Sequence, residues 1–247
     1  MSAFAEELSP YAGGRRASVG GLADEGLLRR LRHYKRQVAK RYRILEPERV
    51  ERVLTGGPYW VSPKHDGELW FLAKVGHEVA LTTFNGRVLL ETPLVKEAAA
   101  ALADAPDLLI AGELVGAGEG DDRARVYHVA SALKDERLEA TLSFVAFDLV
   151  DEAGQDRLGA PYAERIERLR ELLPAVGRAR AVETVEAEGP AEIVERYREW
   201  VGSEQHEGVI VRSDRGLTYK VKRTLTLDAV VIAYGERITG EVRQMRR

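Results

Sequence analysis

The chain has 247 residues, of which 45% are hydrophobic and 31% charged, with a net charge of −3; this suits a soluble protein with one sizeable core. The absence of cysteine excludes disulfides, thiolate metal sites and a cysteine nucleophile. No apolar run approaches the roughly 18 to 20 residues needed to cross a bilayer, and Met1–Pro10, with Glu6 and Glu7, lacks the pattern of a secretory signal, so a cytoplasmic protein without a membrane partner is expected.

Residues 1–22 are rich in Gly, Ser and Ala and are expected to form a flexible lead-in. Leu27, Leu28, Leu31, Tyr34 and Val38 then recur at the spacing of an amphipathic helix. The same stretch carries Arg29, Arg30, Arg32, Lys35, Arg36, Lys40, Arg41 and Arg43 with no acidic residue among them. Such a block attracts polyanions whatever the global charge; its other reading is a solvated helix face. Gly56-Gly57-Pro58 punctuates the chain, and strand-like runs are expected over 59–63, 68–75 and 78–84, with turns at Gly76 and Asn85-Gly86. A helix is expected over 96–105, strands over 108–115 and 142–150, and amphipathic helices over 162–173 and 191–201. Strands over 209–212, 218–221 and 228–234 close the series. Strands outnumber helices and often follow one another directly, which predicts an α+β fold of antiparallel sheets flanked by helices.

Five motifs bear on chemistry. Pro63-Lys64-His65-Asp66-Gly67 places a lysine at a junction between strands; alone it is compatible with an Asp-Gly turn. A lysine amine attacks phosphorus only when neutral, so a nucleophilic lysine needs burial or neighbouring cations to lower its pKa. Glu113 and Asp148 each interrupt an apolar strand, Asp148 directly after Phe147, and Glu207 opens another. Lys220 and Lys222 share one face of a strand. Carboxylates buried without partners are costly, so a shared cleft bearing cations or a metal is the simpler reading of Glu113 and Asp148.

In this order the motifs resemble those of the covalent nucleotidyltransferase superfamily, which holds the ATP-dependent DNA ligases, RNA ligases and mRNA-capping enzymes. The match runs from residue 64 to residue 222. The resemblance implies the ligase/capping nucleotidyltransferase (ATP-grasp-like) fold and an enzyme that uses ATP and Mg²⁺. Lys64 would become adenylated with release of pyrophosphate, and AMP would then pass to a nucleic-acid 5′-phosphate for strand sealing. Glu113 would contact the ribose, Phe147 the base, and Lys220 and Lys222 the α-phosphate while depressing the pKa of Lys64. Glu113 and Glu207 would be the metal ligands. The partner would be a nicked DNA or RNA duplex, held on its phosphates by the basic block, with the protein a monomer.

Two positions depart from the family pattern. Ser62 stands where DNA ligases commonly carry a Glu that helps read adenine. Arg87, after Asn85-Gly86, is the nearest match to an Arg-x-Gly element but lies on the other side of the glycine. Both are expected at the nucleotide. An RNA ligase or a capping-type guanylyltransferase remains an alternative to a DNA ligase, as does a non-catalytic nucleic-acid-binding relic. The expected organisation is a lead-in over 1–22, a nucleotidyltransferase domain over 23–225, and only the start of an OB-fold domain over 226–247. Leu227–Tyr234 resembles that domain's first strand, and the remainder would come from a further domain or a partner chain.

Overall fold

The computed structural model describes residues 2–5, 7–118, 124–202, 206–214 and 216–224, together with the backbone of 235–238 and 241–244. In chain order the first eight strands are β1 (Ser9–Tyr11), β2 (Gly14–Ala17), β3 (Arg43–Leu45), β4 (Tyr59–Lys64), β5 (Glu68–Val75), β6 (Glu78–Thr82), β7 (Val88–Leu90) and β8 (Leu108–Gly116). They are followed by β9 (Leu142–Glu152), β10 (Gln155–Asp156), β11 (Ala179–Ala181), β12 (Val185–Ala187), β13 (Gly208–Ser213), β14 (Thr218–Val221), β15 (Gly235–Ile238) and β16 (Glu241–Gln244). The α-helices are α1 (Glu25–Gln37), α2 (Val50–Val53), α3 (Pro93–Ala101), α4 (Val126–Ala132), α5 (Tyr162–Leu172) and α6 (Pro190–Gly202).

The larger sheet runs β1-β2-β7-β6-β5-β8-β9-β10, with β11 added parallel to β9. Both of its faces are buried, and the period of two along each strand sorts the side chains between them. Trp70 and Leu72 on β5, with Ile110 and Leu114 on β8, pack in one core with Leu94, Val95 and Ala98 of α3 and Ile166 and Leu169 of α5. Phe71, Ala73, Leu109 and Ala111 face the other way, onto Leu27, Leu28, Leu31 and Tyr34 of α1. Asp24 caps α1 by accepting from the Leu27 amide at 2.9 Å, which satisfies one of the free donors of the first turn.

The smaller sheet runs β12-β4-β13-β14-β3, antiparallel except for the β14–β3 pair. Tyr59 and Val61 of β4, Val209 and Val211 of β13, and Tyr219 and Val221 of β14 pack on Ile193, Tyr197 and Trp200 of α6. The alternate residues of the same strands, among them Ser62, Lys64, Ile210, Arg212 and Lys220, therefore point to the opposite face.

The fold is the α+β arrangement of largely antiparallel sheets and flanking helices that the pattern predicts. The lead-in expected over 1–22 is corrected: β1 and β2 form a hairpin that extends the large sheet through β7, and Ala3, Phe4, Tyr11 and Leu22 are buried. Short strands, small residues and glycines hid this hairpin from a periodicity argument. Helix α3 begins at Pro93, ahead of the expected start, because Thr92 caps it and proline is at home in a first helical turn. The expected strand over 228–234 lies outside the described residues; beyond it, β15 and β16 pair with each other. Among the described residues, no helix is long and apolar enough to cross a membrane.

Candidate active site

A cleft of about 300 Å³ opens between the two sheets, lined on one side by Ser62, Lys64, Ile210, Arg212 and Lys220 and on the other by Glu68, Leu69, Glu113, Val145 and Phe147. Lys35 of α1, with Tyr42 just beyond it, closes a further wall. The size falls at the lower end of small-molecule sites.

Register brings the lysine motif together with its distant partners. Gly208 pairs with Lys64 across β13 and β4, so Glu207 lies beside the lysine. Lys64 Nζ donates to Glu207 Oε2, and Lys222 Nζ donates to Glu207 Oε1 at 2.6 Å. Burial pushes the Glu207 carboxyl up, but the hydrogen bonds from Lys222 and Lys64 outweigh it and hold the group below its ordinary pKa. Lys220 stands opposite Ile210, which itself stands opposite Ser62. Burial and the charge of Lys64 lower the pKa of Lys220, and its ammonium sits 5.3 Å from the centroid of the Tyr42 ring.

Glu113 behaves in the opposite sense to Glu207. Burial raises its pKa to about 7 despite the charges of Lys64 and Lys220 and a hydrogen bond from the Gly67 amide. That contact also explains Gly67, which does more than turn the chain. A Cβ there would meet the Leu114 carbonyl oxygen at 2.2 Å and Glu113 Cγ at 2.9 Å, so only glycine lets the two segments approach. Gly208 has the same role against β14, where a Cβ would meet the Val221 carbonyl oxygen at 2.3 Å. His65 is half-buried against His206, with ring centroids 5.0 Å apart. Burial, then the charges of His206, Arg180 and Lys64, push its pKa down to about 3, so it is neutral at pH 7.

Phe147 reaches the cleft through a β-bulge. Ala111 pairs with Asp148 and Gly112 with Ala146, which leaves Phe147 as the extra residue. The bulge also separates Phe147 from its neighbour. Asp148 does not join the cleft, which corrects the expectation of a shared site: it is buried, accepting from the Tyr34 hydroxyl at 2.8 Å and from the Arg165 guanidinium. Its partners come from α1 and α5, and it ties these helices to the sheet.

The remaining expected residues divide. Ser62 lines the cleft, whereas Arg87 does not; Arg87 pairs with Glu68 and lies over Trp70, 5.0 Å from its ring centroid. Of the basic block, Lys35 is part of the cleft wall. Arg29, Arg30, Arg32 and Arg36 instead border a separate shallow surface pocket on α1, where Arg30 also pairs with Asp151 at 3.0 Å. Lys40, Arg41 and Arg43 lie exposed beyond the helix. Arg212 and Tyr42 line the cleft but were missed, although alternation along β13 from Ile210 marks Arg212.

Residues 36–226 match the family model described as ATP dependent DNA ligase domain. A "Probable DNA ligase" of Mycobacterium sp. (strain KMS) is 32% identical over 190 residues, covering 72% of this chain and 36% of that protein, and proteins of strains JLS and MCS match equally. The chain thus spans about a third of the length of these curated relatives. Among solved structures, one named Pmar-Lig_Pre superposes with a TM-score of 0.51 at 17% identity, covering 73% of this chain and 43% of that one. The ligase domain of M. tuberculosis LigD gives a TM-score of 0.48 at 19% identity, covering 75% and 57%. By the family match over most of its length, the chain belongs to the ATP-dependent DNA ligase domain family.

Proposed function

We propose that this chain carries the nucleotidyl-transfer chemistry of an ATP-dependent DNA ligase, with Lys64 as the nucleophile. The observation that carries the reading is the hydrogen-bonded set Lys64–Glu207–Lys222 beside a cleft whose walls include Lys220, Glu113 and Phe147. ATP would lie with its base against Phe147 and its phosphates toward the lysines, where fixed positive charge stabilises the charge that develops on phosphate oxygens.

Lys64 Nζ would attack the α-phosphorus in line. The Lys64 ammonium would first lose a proton to solvent; the N–P bond then forms, the bond to the bridging oxygen breaks and pyrophosphate leaves, and a further proton on the attacking nitrogen passes to the Glu207 carboxylate that accepts from it. Glu207 accepts from both Lys64 and Lys222, and would so hold the two nitrogens near one phosphate. The AMP would then pass from Lys64 to the 5′-phosphate of a nicked duplex, and a 3′-hydroxyl would displace it to seal the strand. The exposed arginines of α1 offer phosphate contacts for that duplex.

Magnesium fits these residues. Its usual donor set is one or two carboxylates completed by substrate phosphates and water. Glu113 would offer the carboxylate, whereas both oxygens of Glu207 accept from Lys64 and Lys222 and Glu207 would reach the ion only by giving up one of them; ATP phosphates and water would complete the set. When bound, the ion would neutralise charge on the phosphate oxygens.

Incubation with α-labelled ATP and magnesium, followed by denaturing electrophoresis, tests the reading. Covalent label from α-labelled but not γ-labelled ATP, lost in Lys64→Ala, is expected. Undiminished labelling of Lys64→Ala would remove Lys64 as the nucleophile.

A further inference from the structure

Arg212 is 5% exposed, and among the described residues its one side-chain hydrogen bond goes to Ser62 Oγ at 3.1 Å, not to a carboxylate. The ring centroids of Tyr162, Phe147 and Tyr42 lie 4.7, 5.6 and 6.0 Å from its guanidinium carbon. Ring faces favour a cation, but a buried guanidinium ordinarily has an anion as well.

Tyr42 and Arg212 also line a second cavity, of about 390 Å³, next to the nucleotide cleft. Arg41, Arg43 and Arg165 line it too, against a single carboxylate, Asp148. Asp148 is already engaged, accepting from Tyr34 on one oxygen and from Arg165 on the other. Arg165 keeps a donor to spare, since its Nε is buried without a hydrogen-bond partner. Its guanidinium carbon is 5.3 Å from the Tyr162 ring centroid, against 4.7 Å for Arg212, so the two charges lie within about 10 Å of each other. Arg41, which donates to the neutral Gln37 side chain, and Arg43 are exposed. The cavity thus gathers four cations around one occupied carboxylate, two of them held inside and two in water.

We propose that this second cavity is a phosphate site, where one phosphate group accepts from Arg212 and Arg165 and is flanked on the solvent side by Arg41 and Arg43. The fork of donors on a guanidinium matches phosphate oxygens, and the Thr218 hydroxyl on the same lining can donate as well. Inorganic phosphate or a terminal phosphomonoester has more than one negative charge at pH 7. Either therefore balances these cations better than an internal phosphodiester, which has one charge and a sugar on each side. The site is separate from the reacting phosphate. Gly208 pairs with Lys64 and Arg212 with Trp60, which sets Arg212 about 13 Å along β13 from the reactive end. An occupant does not compete for the α-phosphate position, and the proposal stands independently of the nucleotidyl-transfer reading.

Equilibrium dialysis of the whole chain against labelled inorganic phosphate, without nucleotide, tests it. Arg212→Gln is expected to weaken binding about tenfold or more, the scale of a hydrogen bond between charged groups. Arg43→Gln, which removes an exposed charge, is expected to weaken it about threefold. Lys220→Gln, in the nucleotide cleft, is expected to leave the affinity within about twofold. No saturable binding up to about 10 mM overturns the proposal, as does unchanged affinity in both Arg212→Gln and Arg43→Gln. A loss in Lys220→Gln as large as that in Arg212→Gln places phosphate in the nucleotide cleft and overturns it too. Should Arg212→Gln fail to fold, Arg43→Gln, on the exposed edge strand β3, decides in its place. A second arm compares single-stranded oligonucleotides bearing a 5′-phosphate or a 5′-hydroxyl. A preference for the phosphate that Arg212→Gln and Arg43→Gln abolish identifies a nucleic-acid end as the source; equal binding, or a preference these variants leave intact, identifies free phosphate.

Discussion

Lys64 and Glu207, 143 positions apart in sequence, are joined by a hydrogen bond beside the β4–β13 ladder, and the second carboxylate oxygen is taken by Lys222. One carboxylate thus fixes two lysine side chains. Glu207→Gln keeps the shape but removes the charge. Self-adenylation is expected to fall about 100-fold, the scale of losing one preorganised electrostatic contact. Because the folded-state pKa of Glu207 is depressed, its contribution to stability is present above the unfolded value and is lost as pH falls through the folded one. The stability gap between the wild type and Glu207→Gln should therefore close on acidification below about pH 4, the unperturbed glutamate range. Labelling rates within threefold of wild type would remove Glu207 from the reaction.

Glu113 gives the reverse pH dependence. With its folded pKa raised to about 7, the native state binds more protons than the unfolded state between the ordinary glutamate value and pH 7. Stability contributed by this group declines as pH rises through that window. In metal-free buffer Glu113→Gln, which copies the neutral form, should match the wild type near pH 4. At pH 8 it should melt higher, by about 2–4 °C for each kcal/mol gained. Thermal melts at the two pH values decide this; a variant that is less stable at pH 8 contradicts it.

Much of the site is legible from the sequence because β-strand geometry is local. Lys220 lines the cleft from β14, whereas Lys222 lies just past that strand's end and meets Glu207 instead; Glu113 inside an apolar strand had to be unusual. What sequence could not convey is register. Nothing local says that Gly208 lies opposite Lys64, which puts Glu207 within reach of the amine. The bulge that turns Phe147 into the cleft and Asp148 out of it depends on one unpaired position between β8 and β9. The β1–β2 hairpin was missed because its stability comes from pairing with β7, a contact about 75 residues away in the chain, and local propensity is weak against such context.

Asp148 serves as a structural anchor. The side chains of Asp148 and Arg165 are 4% and 11% exposed, and Tyr34 donates to the same carboxylate. Asp148→Ala strands a buried guanidinium and should cost about 3–5 kcal/mol, whereas Tyr34→Phe removes one hydrogen bond to a charged group and should cost about 1.5–3 kcal/mol. The exposed pair Arg196–Glu199 on α6 should contribute about 0.5 kcal/mol or less. Urea unfolding of the three variants, Glu199→Ala standing for the last, gives the ranking; a similar loss in all three would deny Asp148 this role.

The basic block falls on two surfaces that charge alone could not distinguish. Lys35 reaches the cleft wall and lies 5.2 Å from the Phe84 ring centroid, while Arg29, Arg32 and Arg36 are exposed on α1 beside a separate shallow pocket. Exposed arginines that meet phosphates release counterions, so their loss weakens binding and lowers its dependence on salt, by about one unit of log–log slope for each phosphate contact removed. Replacing Arg29, Arg32 and Arg36 together with Glu should weaken binding of a nicked duplex at low salt and flatten its salt dependence. Self-adenylation should be nearly unchanged, since that step needs no nucleic acid. Lys35→Ala should do the reverse, raising KM for ATP while leaving the salt slope within one contact of wild type. Filter binding of the nicked duplex across a salt series, run beside labelling kinetics, separates the two. If the triple variant keeps its affinity and slope, this face of α1 is solvated and the duplex is held elsewhere; if Lys35→Ala leaves KM unmoved, the cleft does not use it.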